Sequence, residues 1–167
     1  MWLEKVRVMI AQANPIRTLI VDDSKDECML LRAQLRGVDS VKVIASVHDG
    51  VEALSYVRGI GRFKDREVSP YPDLILLDFQ MPFCSGLEVL EQLSHQLHHP
   101  RVILWSNTLD QLDIPLAMRL GADLVCRKPF SRPELIEVID RLKAKVFSRI
   151  PIPFQRDMEE QPAHVCD

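Results

Sequence analysis

Two carboxylates, Asp22 and Asp23, close the apolar run Thr18-Leu19-Ile20-Val21, and a third, Asp78, closes Leu74-Ile75-Leu76-Leu77. A hydroxyl, Ser106, follows Val102-Ile103-Leu104-Trp105, and an amine, Lys128, lies just past Leu124-Val125-Cys126. If these runs are strands of one parallel sheet, all five groups meet at its carboxyl end, where open α/β sheets bind ligands. Three converging acids repel one another and resist ionising together. A divalent cation relieves that repulsion, and an all-oxygen, hydrated site suits Mg²⁺. The cation and Lys128 would then neutralise the charge on a transferring phosphoryl group, with Asp78 as the nucleophile that forms an acyl phosphate. The plain alternative is that the acids only cap the following helices, a role Ser24 already fills for the first of them.

Short continuous apolar runs are the signature of strands covered on both faces. Two weaker runs, Val41 to Val47 and Leu124 to Cys126, fit the less buried edges. Between the runs lie helices with clear start signals. Ser24-x-x-Glu27, Asp49-x-x-Glu52, Ser85-x-x-Glu88 and Ser131-x-x-Glu134 all have capping-box spacing. Gly37, Gly59 and Gly121 stand where a left-handed residue would end a helix. Five alternations of strand and helix predict a doubly wound α/β fold, a five-stranded parallel sheet with five helices on its two faces.

Three segments depart from this pattern. Residues 1–15 form an N-terminal extension in which Trp2, Leu3, Val6, Met9, Ile10 and Ala13 recur at helical spacing. Either this is a docking amphipathic helix or synthesis starts at Met9. The domain itself is placed at 16–148. Residues 149–167 form a C-terminal tail punctuated by Pro151, Pro153 and Pro162. Within the domain, Gly59 to Asp73 is a long, charged connection where ~2–6 residues is usual; function and tolerated insertion are both open for it.

With 167 residues and 47% apolar content, the chain can bury one good core. A net charge of −3 from 21 basic and 24 acidic residues argues against a nucleic-acid partner. No apolar run reaches the ~18–20 residues needed to cross a bilayer. Glu4, Lys5 and Arg7 interrupt any signal peptide, so a cytoplasmic location is expected. Cys28, Cys84, Cys126 and Cys166 lack metal-ligand spacing and read as reduced thiols. The cluster His95, His98, His99 has no Cys or carboxylate partner nearby and reads as a solvated helix end.

The series Val21-Asp22-Asp23-Ser24, Leu77-Asp78-Phe79-Gln80-Met81-Pro82, Ser106 and Lys128-Pro129-Phe130 resembles the response-regulator receiver family over about Arg17 to Phe147. The stretch Tyr71-Pro72-Asp73 before the third strand is similar to the phytochrome-associated subset. The resemblance implies a flavodoxin-like sheet of order 2-1-3-4-5. It implies that Asp78 is the phosphoacceptor, that Asp23, Asp78 and the Gln80 carbonyl bind Mg²⁺, and that Asp22 acts through water. Lys128 would pair with Asp78 and precede a cis bond to Pro129, and Ser106 would swing onto the phosphoryl group. The partners implied are a sensor histidine kinase or histidine phosphotransfer protein and a downstream protein target. A homodimer is plausible, no membrane is involved, and the module is not itself an enzyme.

Departures from the pattern bear on the switch. The family's aromatic three residues before the lysine is Val125 here, which puts ring coupling to Ser106 in doubt. Gln80 and Asn107 would flank the phosphoryl group and change its lifetime. Cys84 reads as an inert loop thiol. Two rivals remain: a receiver-like interaction module that signals without phosphorylation, and an aspartyl-nucleophile phosphatase, which would want an acid where Gln80 stands.

Overall fold

The computed structural model describes residues 14–96, 99–108, 114–128 and 131–147, the last five as backbone. The N-terminal helix, the C-terminal tail, the Pro129 bond and His98 read from the sequence lie outside the described residues.

The chain runs β1 (Ile16–Val21), α1 (Lys25–Leu35), β2 (Val41–Val47), α2 (Gly50–Arg58), a 3₁₀ turn (Gly61–Phe63) and β3 (Leu74–Asp78). It continues with α3 (Gly86–Ser94), β4 (Arg101–Ser106), α4 (Ile114–Arg119), β5 (Leu124–Arg127) and α5 (Arg132–Phe147). All strand pairs are parallel and the order is β2-β1-β3-β4-β5. Every residue of β3 is buried, whereas β5, at the edge, is half-buried, as the strength of the two apolar runs predicts. Among the described residues, no helix is long and apolar enough to cross a membrane.

Because strand side chains alternate between faces, the sheet separates two cores. On one side Leu19, Val21, Ile75, Leu77 and Leu104 pack with Val57 of α2 and Val89 and Leu90 of α3. On the other, Ile20, Leu76, Ile103 and Trp105 pack with Leu31 of α1 and Leu135 and Ile139 of α5. Each fully buried Leu or Ile contributes about 1.5–3 kcal/mol, so β1, β3 and β4 are the frame that holds the strand ends in place. The register of β1 against β2 is broken once: Thr18 pairs Val43 but Leu19 pairs Ala45, leaving Ile44 over as a bulge.

The helix starts behave as predicted at two of the four boxes. Ser85 and Glu88 form a reciprocal capping box, and so do Ser131 and Glu134. Asp49 accepts from the Glu52 amide at 2.7 Å, but the Glu52 carboxylate accepts from the His48 amide. At α1 the box is only half made. Ser24 Oγ accepts from the Glu27 amide at 3.3 Å, while the Ser24 amide donates to Asp22 Oδ1 at 2.9 Å instead of to Glu27.

The connection from Gly59 to Asp73 is more than a solvated insertion. Gly59 ends α2 with φ +67°, and Phe63 turns into the core with its ring 4.9 Å from that of Tyr56. The Arg66 guanidinium donates to the carbonyls of Tyr56 (2.8 Å), Val57 (2.7 Å) and Ser69 (3.2 Å). It thereby satisfies carbonyls that every helix C-terminus leaves open.

Candidate functional site

The ladder of the sheet continues past the strands and fixes the loops that carry the chemistry. The amide of Asp22 donates to Val47 O, that of Phe79 to Trp105 O, and that of Lys128 to Ser106 O. Asp22 and Asp23 leave β1, Asp78 ends β3, Ser106 ends β4 and Lys128 follows β5. The 2-1-3-4-5 order places β1 beside β3, so the acids of these two strands meet. Carboxylate oxygens of Asp22, Asp23 and Asp78 lie within 4.8 Å of one another, with Asp23 exposed and the other two buried. Among the described residues no other group of three such ligands converges. An all-carboxylate set of this kind fits a hard divalent cation.

Lys128 reaches into the same pocket. Its Nζ is 2.8 Å from Asp22 Oδ2, 3.0 Å from Asp78 Oδ1 and 2.5 Å from Glu27 Oε2. It also lies 4.7 Å from the centroid of the Trp105 ring. Burial pushes the Asp78 carboxyl up to about 6; Lys128 opposes this, and Asp22 and Glu27 reinforce it. Burial disfavours the Lys128 ammonium, but its bonds to Asp22, Glu27 and Asp78 outweigh that and hold its pKa above the usual lysine value. The Asp78 side chain keeps 8% of its surface.

Ser106 is buried, and its hydroxyl is engaged with Thr108: it accepts from the Thr108 amide at 2.9 Å and lies 3.2 Å from Thr108 Oγ1. Gln80 and Asn107 are exposed just past the ends of β3 and β4. Val125 packs against the core on the α2/α3 face. Burial, with Glu88 and Asp49, raises the pKa of Cys84, which agrees with an unreactive thiol.

Three neighbours of the site escaped the sequence reading. Glu27 was read as a capping residue, but its carboxylate turns to Lys128. Thr108 carried a weak signal, the Ser-x-Thr spacing at the end of a strand that favours a local side-chain turn. Trp105 was read only as the end of an apolar run.

Comparison with known proteins follows the same outline. The family described as response regulator receiver domain matches residues 18–140. The protein-glutamate methylesterase/protein-glutamine glutaminase 5 of Myxococcus xanthus is 32% identical over 136 residues, 80% of this chain and 36% of that protein. The DNA-binding response regulator MtrA of Mycolicibacterium smegmatis is 32% identical over 149 residues, 89% of this chain and 54% of that one. The chain therefore spans about a third to a half of the length of these relatives. Among solved structures, the phosphorylated cyanobacterial phytochrome response regulator RcpA superposes with a TM-score of 0.63 at 25% identity, over 83% of this chain and 99% of that one. The response regulator RPA3017 in red light signaling of R. palustris gives 0.62 at 28% identity, over 84% of this chain and 100% of that one. With a family match across most of its length and the sheet order and acidic pocket described above, the chain belongs to the response regulator receiver domain family.

Proposed function

We propose that this chain takes a phosphoryl group from a phosphohistidine donor, a sensor histidine kinase or a histidine phosphotransfer protein, onto Asp78. The observation that carries the reading is the 3.0 Å approach of Lys128 Nζ to Asp78 Oδ1, beside two further carboxylates. A carboxylate oxygen of Asp78 bonds to phosphorus, the donor's P–N bond breaks, and its electron pair leaves on the imidazole. Lys128 keeps an ammonium against the oxygens on which charge gathers. Asp23, Asp78 and the Gln80 carbonyl would hold Mg²⁺, with Asp22 acting through water; when bound, the ion supplies further positive charge at the phosphoryl oxygens. Ser106 would exchange Thr108 for a phosphoryl oxygen, a local hydrogen-bond change with a wider readout. Output to a downstream protein target would then follow from the altered surface around β4.

Incubation with Mg²⁺ and acetyl phosphate should add ~80 Da to the intact mass, and Asp78→Asn should abolish the adduct. An unmodified wild-type mass would favour an interaction module that signals without phosphate. Gln80 and Asn107 flank the proposed phosphoryl position, so Gln80→Ala and Asn107→Ala should change the decay of the adduct. Equal decay in both variants and wild type would remove them from the mechanism.

A further inference from the structure

An ammonium has three N–H bonds to give, and three carboxylates surround that of Lys128. Asp22 and Asp78 belong to the acidic pocket. Glu27 does not: it comes from the first turn of α1, with its side chain 36% exposed. Glu27 forgoes the bond its spacing offers, because the Ser24 amide is taken by Asp22. Its carboxylate is therefore committed to Lys128 rather than to the helix start.

Two consequences follow from charge and geometry. A cation in the pocket and the Lys128 ammonium share the negative charge of the Asp22 and Asp78 carboxylates, so a carboxylate outside the pocket that draws Lys128 leaves more of that charge to the cation. The second concerns the incoming anion. Asp22, Asp23, Asp78 and Glu27 against Lys128 leave the site negative even with a divalent ion bound, and a phosphoryl donor meets that residual charge. An uncharged side chain at 27 would cancel it.

We propose that Glu27 is a positioning residue that draws Lys128 toward α1, easing cation binding and slowing phosphoryl uptake. The phosphoryl half of the inference rests on the function proposed above; the cation half does not. Glu27→Gln keeps an acceptor and removes the charge. It should raise the Mg²⁺ concentration at half-saturation, measured by calorimetry on the whole chain, by about two- to fivefold, the scale of a partly exposed ion pair. It should also raise the limiting rate of acetyl phosphate uptake at saturating Mg²⁺ by about two- to fivefold. Glu27→Asp, which keeps the charge, should stay nearer wild type in both.

A purely structural role would leave both quantities unchanged or impair both, and either result overturns the inference. If wild type takes up no phosphoryl group, the function proposed above fails. The cation titration then decides alone: a midpoint raised in Glu27→Gln but near wild type in Glu27→Asp supports Glu27 as the counter-anchor of Lys128, and one unchanged, or raised equally in both variants, ends the idea.

Discussion

Gly86, the first residue of α3, lies against the backbone of Asp78. A Cβ at this position would overlap the Asp78 carbonyl oxygen and come within 2.8 Å of Leu104 Cδ1 and 3.0 Å of the Phe79 Cα. The Gly86 amide donates to Phe79 O at 3.0 Å, which holds the helix start and the strand end together. The absence of a side chain at 86 thus sets how closely α3 can approach the proposed phosphoacceptor.

Gly86→Ala should therefore cost about 1–3 kcal/mol, the usual penalty for overpacking where backbone must shift. Urea unfolding would read the loss. Acetyl phosphate uptake by the fraction that stays folded should fall as well, since the shift is centred on Asp78. A variant with wild-type stability and uptake would show that the contact is slack.

Arg66→Ala should lower stability by about 1.5–3 kcal/mol, as expected for loss of charged hydrogen bonds to backbone carbonyls. The Val57 carbonyl would lose its guanidinium donor, while that of Tyr56 would keep only the Gly59 amide. Limited proteolysis should then cut first between Gly59 and Asp73. Unchanged protease resistance would mean that Phe63 and the Arg62–Glu52 ion pair suffice to secure this connection.

Asp73 carries a pH signature. Burial works to raise its pKa, but the side-chain and backbone donors of Arg17 outweigh that and hold it below the usual aspartate value. The carboxylate takes Arg17 Nε and the Arg17 amide at 2.9 Å and Nη2 at 2.7 Å. A depressed folded pKa means stability that is present above the unfolded value and lost as pH falls through the folded one. Asp73→Asn should thus cost about 0.5–1 kcal/mol at pH 7, reduced by solvent screening of a pair that is 42% and 41% exposed. The deficit should shrink steadily below about pH 4. Denaturation midpoints of both proteins across that range give the test; a constant gap would exclude the ionic contribution.

The thiols should be slow. Burial pushes Cys28 up to about 11 and Cys126 up to about 12. At pH 8 the native chain should alkylate about a hundredfold more slowly than after unfolding at Cys28 and about a thousandfold more slowly at Cys126, because only the thiolate reacts. Peptide mass mapping after iodoacetamide would check this. Rapid labelling of Cys28 would show that α1 opens from the sheet.

Much of the site was legible because its residues end strands. Asp22, Asp23, Asp78, Ser106 and Lys128 each follow an apolar run, and a parallel sheet brings such ends together whatever the loops do. The edge strands were legible too, since weaker runs mark weaker burial. What stayed hidden depends on which way a side chain turns. The spacing of Ser24 and Glu27 describes a capping box equally well, and it takes Asp22 on the Ser24 amide and the arrival of Lys128 from 101 residues away to divert the Glu27 carboxylate. Likewise Arg62, Lys64, Asp65, Arg66 and Glu67 read as solvated charge, yet Arg66 folds back onto α2. Composition cannot separate an arginine in water from one spent on carbonyls.

The extra residue in β2 has a consequence for how the two halves of the interior are joined. Strand parity would send Val41, Val43, Ala45 and Val47 to one side. With Ile44 inserted, Val41 and Val43 point toward α1 and α5, whereas Ala45 and Val47 point toward α2 and α3. One strand thereby changes allegiance midway and stitches together compartments that the other strands keep apart. Deleting Ile44 would force half of it to face the wrong way.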